Sequence, residues 1–204
     1  MQNWKIILLA TGISALITSF VSIFWTRYRK NQLIKKYTSE SEGEKIEKFP
    51  NLKEQVLELK SEIWLFESLE VVLYKISKED YRKNLFLEND GLVACLIQKN
   101  IENTANTVAV EYLNQEKFDK NLEKLAVSGL NFASFFEPFF DFILISVKIE
   151  ITEILKFLKI LKTDGILIWK YQKNQRRKIL RYLKSQKIVF DEYFYYDFLL
   201  IKKK

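Results

Sequence analysis

The chain has no histidine, one cysteine, one methionine, two prolines and five glycines among its 204 residues. Without histidine it lacks the commonest metal ligand and the usual general base near neutral pH. Chemistry built on a serine–histidine or cysteine–histidine pair is therefore excluded. The single cysteine, Cys95, lies in an apolar run. It permits no intramolecular disulfide and no cysteine-rich zinc site, so its expected role is helix packing. Disorder is excluded for most of the chain, because 48% of residues are hydrophobic, enough for a core. Basic residues exceed acidic ones, 33 to 26. Lysine far outnumbers arginine, and Ile, Phe, Asn and Tyr are abundant, a composition that AT-rich coding also produces. The position of the charges therefore matters more than their sum.

The longest uncharged run, "IILLATGISALITSFVSIFW", occupies residues 6–25. As a helix, twenty residues span about 30 Å, the thickness of a hydrocarbon core. Arg27, Arg29, Lys30, Lys35 and Lys36 follow it, against only Lys5 and the amino terminus before it. The run thus predicts a transmembrane helix, residues 1–30 forming an anchor with a basic flank. The remainder is expected on the positive-inside face of the membrane. Thr11, Ser14, Thr18 and Ser22 share one helical face, a stripe that suits contact with another transmembrane helix. A single anchor with its hydroxyls bonded to its own backbone is the other reading.

Residues 31–50 read as a polar linker, ending in "YTSESEGEKIEKFP". Residues 51–204 form the expected folded domain. Leu52, Val56, Leu59, Ile63, Leu65, Phe66, Leu69, Val72, Leu73 and Ile76 recur at helical spacing and predict one or two amphipathic helices. Strands are then predicted at 84–87, 107–113, 131–136, 141–147 and 165–170, separated by helices at 91–99, 115–128 and 150–162. A basic helix at 173–185 and a terminal hairpin complete the pattern. Such alternation implies right-handed crossovers and a largely parallel sheet covered on both faces.

Several phrases in this order resemble the class I S-adenosylmethionine-dependent methyltransferases. "TVAVEYLNQEKFDKNLEKLAVSGL" is similar to the second strand, with Glu111 at its end, and the following helix. "FFDFILI" is similar to the fourth strand, "ILKFLKILKTDGILIWK" to the helix and fifth strand, and "DFLLIKK" to the last strand. The resemblance covers roughly Leu69 to Lys204. It implies a Rossmann-like sheet of seven strands in the order 3-2-1-4-5-7-6, the last antiparallel.

The family's first motif, an acid followed by glycines at alternate positions, meets "LFLENDG" here. Gly91 matches the last glycine, whereas Asn89, Leu87 and Leu85 stand in place of the middle glycine, the first glycine and the acid. Leu87 is expected to put its side chain where the cofactor's methionine portion passes. A one- or two-residue shift would bring Glu88 or Asp90 into the acidic role. The family resemblance gives Glu111 the ribose hydroxyls. A charge at a strand end is its other reading.

The altered corner points to a catalytically inactive, methyltransferase-like accessory or structural subunit of a membrane complex of the respiratory or ATP synthase type. On this reading the chain is no enzyme and takes no cofactor. It would sit in the mitochondrial inner membrane facing the matrix, or in a bacterial plasma membrane facing the cytoplasm, beside other transmembrane subunits. One alternative is an active, membrane-anchored protein-lysine methyltransferase, resembling the mitochondrial membrane-anchored enzymes, with S-adenosylmethionine held by Gly91, Asp90 and Glu111. Another is a membrane-tethered basic module for RNA or lipid. Lys173, Arg176, Arg177 and Arg181 mark its basic surface, which favours anionic lipid over nucleic acid. Asp141 reads as a strand-start residue. The rings of Phe132, Phe135, Phe136, Phe139, Phe140 and Phe142 exceed what a short strand and loop can hide, so part of them is expected at the surface.

Overall fold

Hydrophobic runs of five or six residues separated by amphipathic helices can bury both faces only as a covered sheet, and a computed structural model of the chain has that form. It describes residues 21, 22, 25, 49–59, 61, 63–134, 139–193 and 196–203. Met1–Lys48 and Phe49–Lys204 are separate compact units. In the first, Val21, Ser22 and Trp25 are helical. The rest of the 6–25 run, with Thr11, Ser14 and Thr18, lies outside the described residues. Among the described residues no helix is long and apolar enough to cross a membrane.

The second unit begins with helices α1 (Leu52–Leu59) and α2 (Phe66–Lys78), then strand β1 (Lys83–Leu87). Next come α3 (Leu92–Asn100), β2 (Ala105–Ala109), a 3-10 turn (Val110–Tyr112), α4 (Gln115–Leu125) and β3 (Asn131–Ala133). Strand β4 (Phe140–Ile145) precedes a 3-10 turn (Ile151–Glu153), α5 (Ile154–Ile160) and β5 (Leu161–Lys170). Helix α6 (Arg176–Ser185) leads into β6 (Phe190–Tyr193) and β7 (Phe198–Lys202). The sheet order is β3-β2-β1-β4-β5-β7-β6, as the resemblance implies. β1 lies parallel between β2 and β4, and β7 is antiparallel to both β5 and β6.

Alternation along β1 divides the core. Phe86 faces a layer that includes Leu52, Leu69, Val93, Leu96 and Phe118 from α1–α4. Leu85 and Leu87 face a second layer with Ile143, Ile145, Ile154, Phe157, Ile179 and Leu183, the last four from α5 and α6. The two amphipathic helices form as expected, but the periodicity read through Ile63 and Leu65 is corrected, since both lie between the helices. Ile63 and Leu65 are exposed while Trp64 is buried. The Ser61 hydroxyl accepts the Ile63 and Trp64 amides, which holds this stretch out of the helix. Cys95 is fully buried as expected, and burial pushes its thiol up to about 12.

Candidate functional site

The chain leaves β1 toward α3 and β2, and leaves the neighbouring β4 toward α5 and β5. This reversal makes the carboxyl ends of the two strands a topological switch point, the usual ligand position in an open α/β sheet. The stretch Glu88–Gly91 leads directly from the end of β1 into α3.

Each residue of that corner has a separate task. Leu87 is fully buried among Leu85, Ile143 and Ile145, and its carbonyl accepts the Ser146 amide at 3.0 Å. It belongs to the sheet's core, where a leucine contributes about 1.5–3 kcal/mol by burial. Leu85, in the family's acidic position, is buried in the same layer. Glu88 is fully buried, and its carboxylate oxygens accept the Val93 amide at 3.3 Å and the Ala94 amide at 3.0 Å. Burial, then the neighbouring charge of Asp90, pushes Glu88 up to about 8 despite those two hydrogen bonds. Asn89 is exposed, and its carbonyl accepts the Asn114 amide at 2.7 Å, tying the corner to the loop after β2. Asp90 Oδ1 accepts the Leu92 amide at 3.3 Å, the Asp90 carbonyl accepts from Asn121 Nδ2, and burial raises the carboxyl's pKa.

Gly91 ends the corner at φ +60°, in the left-handed region. A Cβ there would lie 2.4 Å from Cδ2 of Phe118. The glycine thus serves the turn and the close packing of α4 on α3.

Glu111 is not at a strand end. It lies exposed in the 3-10 turn immediately after β2. The Asn89–Asn114 bond brings its loop beside the β1 corner, so the sequence-marked residues Asp90, Gly91 and Glu111 belong to two adjoining loops on one sheet edge. The carboxylates of Asp90 and Glu111 and the side-chain oxygen of the exposed Asn89 are acceptors of the kind a cationic, hydroxyl-bearing ligand requires. The first-turn amides of α3 are engaged by Asp90 and Glu88.

A cleft of about 50 Å³ lies farther along this edge, where β4 and β5 end, lined in part by Ser146, Lys148, Trp169, Tyr171, Gln172 and Gln175. Sequence reasoning did not mark these residues or the buried role of Glu88. An acid four residues before a helix is a weak signal on its own, and the cleft joins residues far apart in the chain.

The other marked residues lie elsewhere. Asp141 is at the opposite edge, where it accepts the Arg82 and Lys83 amides and pairs with Lys162 at 2.6 Å. That is the expected strand-start role. Phe140 and Phe142 are buried, Phe132 and Phe139 are exposed, and Phe135 and Phe136 lie outside the described residues. Lys173, Arg177 and Arg181 are exposed, but Arg176 is corrected as a surface cation. Its guanidinium donates to both Glu192 oxygens, at 2.5 and 2.7 Å, and Tyr171 donates to the same carboxylate. Among the described residues no cluster of three or more acidic or cysteine side chains could hold a metal.

No protein-family model and no curated protein matches the sequence. Solved structures do match. A SAM-dependent O-methyltransferase from Thermotoga maritima superposes with a TM-score of 0.57 at 12% identity, covering 75% of this chain and 71% of that one. A putative caffeoyl-CoA O-methyltransferase from Staphylococcus aureus gives 0.54 at 13% identity, covering 85% and 98%. A ribosomal protein L11 methylase from Lactobacillus delbrueckii gives 0.53 at 14% identity, covering 68% and 78%. These likenesses correct the expectation of a chain that is no enzyme and takes no cofactor. That expectation rested on substituted glycines, yet the fold shared with these methyltransferases is intact around them, with Gly91 in a left-handed turn and Leu87 buried in the core. In fold, the chain is a class I methyltransferase-like protein with a Rossmann-type seven-stranded sheet.

Proposed function

We propose that the chain is an S-adenosylmethionine-dependent methyltransferase whose cofactor lies across the β1 and β4 strand ends. The observation that carries this reading is the convergence of the Glu88–Gly91 corner and the Glu111 loop beside the switch point of this sheet order. Asp90 and Asn89 would face the cofactor's cationic portion, and Glu111 its ribose hydroxyls. When bound, S-adenosylmethionine supplies an electrophilic methyl group on sulfur. The protein's part is to hold and orient. Glu88 fixes the start of α3 from within the core, and Asn114 fixes the distance between the two loops. The small cleft beside Ser146 and Tyr171 admits the reacting end of an acceptor while the rest stays outside.

Calorimetry of the detergent-solubilised full chain tests this reading. Saturable binding of S-adenosylmethionine or its demethylated product is expected. Glu111→Ala and Asp90→Ala should each weaken it roughly tenfold or more, as loss of a charge-assisted hydrogen bond does. Failure of the unsubstituted, folded chain to bind either ligand would overturn it. Membrane attachment through residues 6–25 is part of the proposal, supported by the uncharged run and its basic flank. The protein should stay with the membrane pellet on alkaline carbonate extraction. Release of the intact chain would remove the anchor from the reading.

A further inference from the structure

The helices on the two sides of the sheet differ in charge. Helices α1–α4 carry seven acidic and seven basic residues, evenly mixed. Helices α5 and α6 carry seven basic residues and no acidic one. The stretch from Lys173 to Phe190 contains no acid at all. Six of its cations, Lys173, Arg177, Lys178, Arg181, Lys184 and Lys187, are exposed. Arg177, Arg181 and Lys184 follow one another at four and three residues, so they form one stripe along α6. The opposite stripe, Ile179 and Leu183, is buried against the sheet. The Arg176–Glu192–Tyr171 cluster pins the start of the helix to β6. This cationic face is therefore held in a fixed orientation.

We propose that the α5–α6 face docks on a lipid bilayer bearing anionic headgroups. Charge complementarity is the first argument, since each Lys or Arg near such a surface strengthens attachment about fivefold. The composition of the face is the second. A surface that grips single-stranded RNA interleaves exposed aromatic rings with its cations for base stacking. Tyr182 is the only ring on α6, and it is partly buried in the core layer below. The sequence gives the third argument. The uncharged run at 6–25 is followed by a chain to Phe49 that extends at most about 80 Å, which keeps the domain within reach of any bilayer holding the run. Docking does not depend on methyl transfer.

The test uses the full-length chain reconstituted in nanodiscs of phosphatidylcholine alone or with 30% phosphatidylglycerol. A fluorophore is placed at Gln186→Cys, and a headgroup spin label serves as quencher. Quenching is expected in the anionic discs and not in the neutral ones. Substituting Arg177, Lys178 and Arg181 by glutamine should lower the docked-to-undocked ratio on the order of a hundredfold. A control that substitutes Lys53, Lys75 and Lys78 by glutamine removes the same charge from the balanced side and should leave quenching unchanged. Equal quenching in both kinds of disc, or equal loss in both triple variants with circular dichroism unchanged, would overturn the proposal. So would a single-stranded RNA oligomer that binds only when the three α6 cations are present while the lipid signal ignores them.

Discussion

The two helical layers hold the same sheet by different means. Beside α1–α4, the core reaches across four helices and is crossed by buried polar groups, among them Glu88 under α3 and the Asn84–Asn106 pair between β1 and β2. Beside α5 and α6, the packing is apolar and thin. Helix α6 buries only Ile179 and Leu183, whereas α3 buries six residues. The first layer fixes the geometry of the ligand corner. The second presents a charged exterior, and its helix can open at lower cost, because local stability follows buried apolar contact.

The sharpest way to break this contrast is at the α3–α4 contact. Phe118→Ala should cost about 3–5 kcal/mol, as emptying a fully buried aromatic site does. Gly91→Ala should cost about 3 kcal/mol, from positive φ together with overlap on the same ring. Gly129→Ala, at φ +82° but with its nearest neighbour at 3.5 Å, should cost about 1 kcal/mol. Urea denaturation measures all three. The double variant Gly91→Ala/Phe118→Ala should fall well short of the summed losses, and strict additivity would mean that the ring is not what the glycine accommodates.

On the thinner side, Leu183→Ala should cost about 2–4 kcal/mol. Hydrogen exchange should show α6 opening well below the global unfolding energy while α3 exchanges only near it. Matching protection in the two helices would erase the distinction between the layers.

A different kind of effect, read against pH, sets Glu88 apart. Its folded pKa, about 8, lies above the unfolded value of 4.5. Between those values the folded state keeps a proton that the unfolded state has released, so this residue makes stability fall as pH rises through the window. Denaturation from pH 5 to 8 should show that decline, and Glu88→Gln should flatten it. An unchanged slope in the variant would assign the dependence to another group. A small effect is expected at the pin between α6 and β6. Glu192→Gln leaves a partly exposed pair without its charge and should cost about 1 kcal/mol, with faster exchange confined to α6.

The short apolar runs and intervening helical periods made a covered, largely parallel sheet legible, whereas the strand order came from the phrases that resemble the methyltransferase family. The boundaries were less legible. Residues 110–113 have the composition of a strand, but the Asn114 amide is drawn to the Asn89 carbonyl and its side chain caps α4. The chain turns early and carries Glu111 out of the sheet. Leu87 looked like an obstruction because a glycine position says where a side chain is missing, not which layer a replacement joins. Arg176 looked like a surface cation because its partner lies sixteen residues farther along, on a strand that sequence alone cannot pair with it.

The bond between Ser146 and Leu87 has a consequence for synthesis. The two residues are 59 positions apart, and β4 supplies one whole flank of β1. A chain emerging from the ribosome carries the finished sequence of the corner long before it carries the strand that encloses it. Until β4 arrives, Leu85 and Leu87 lack Ile143 and Ile145, and one edge of β1 remains open to any other strand nearby. Pairing at such separation is slow. The period of greatest exposure to mispairing therefore falls while the segment between α3 and β4 is being made.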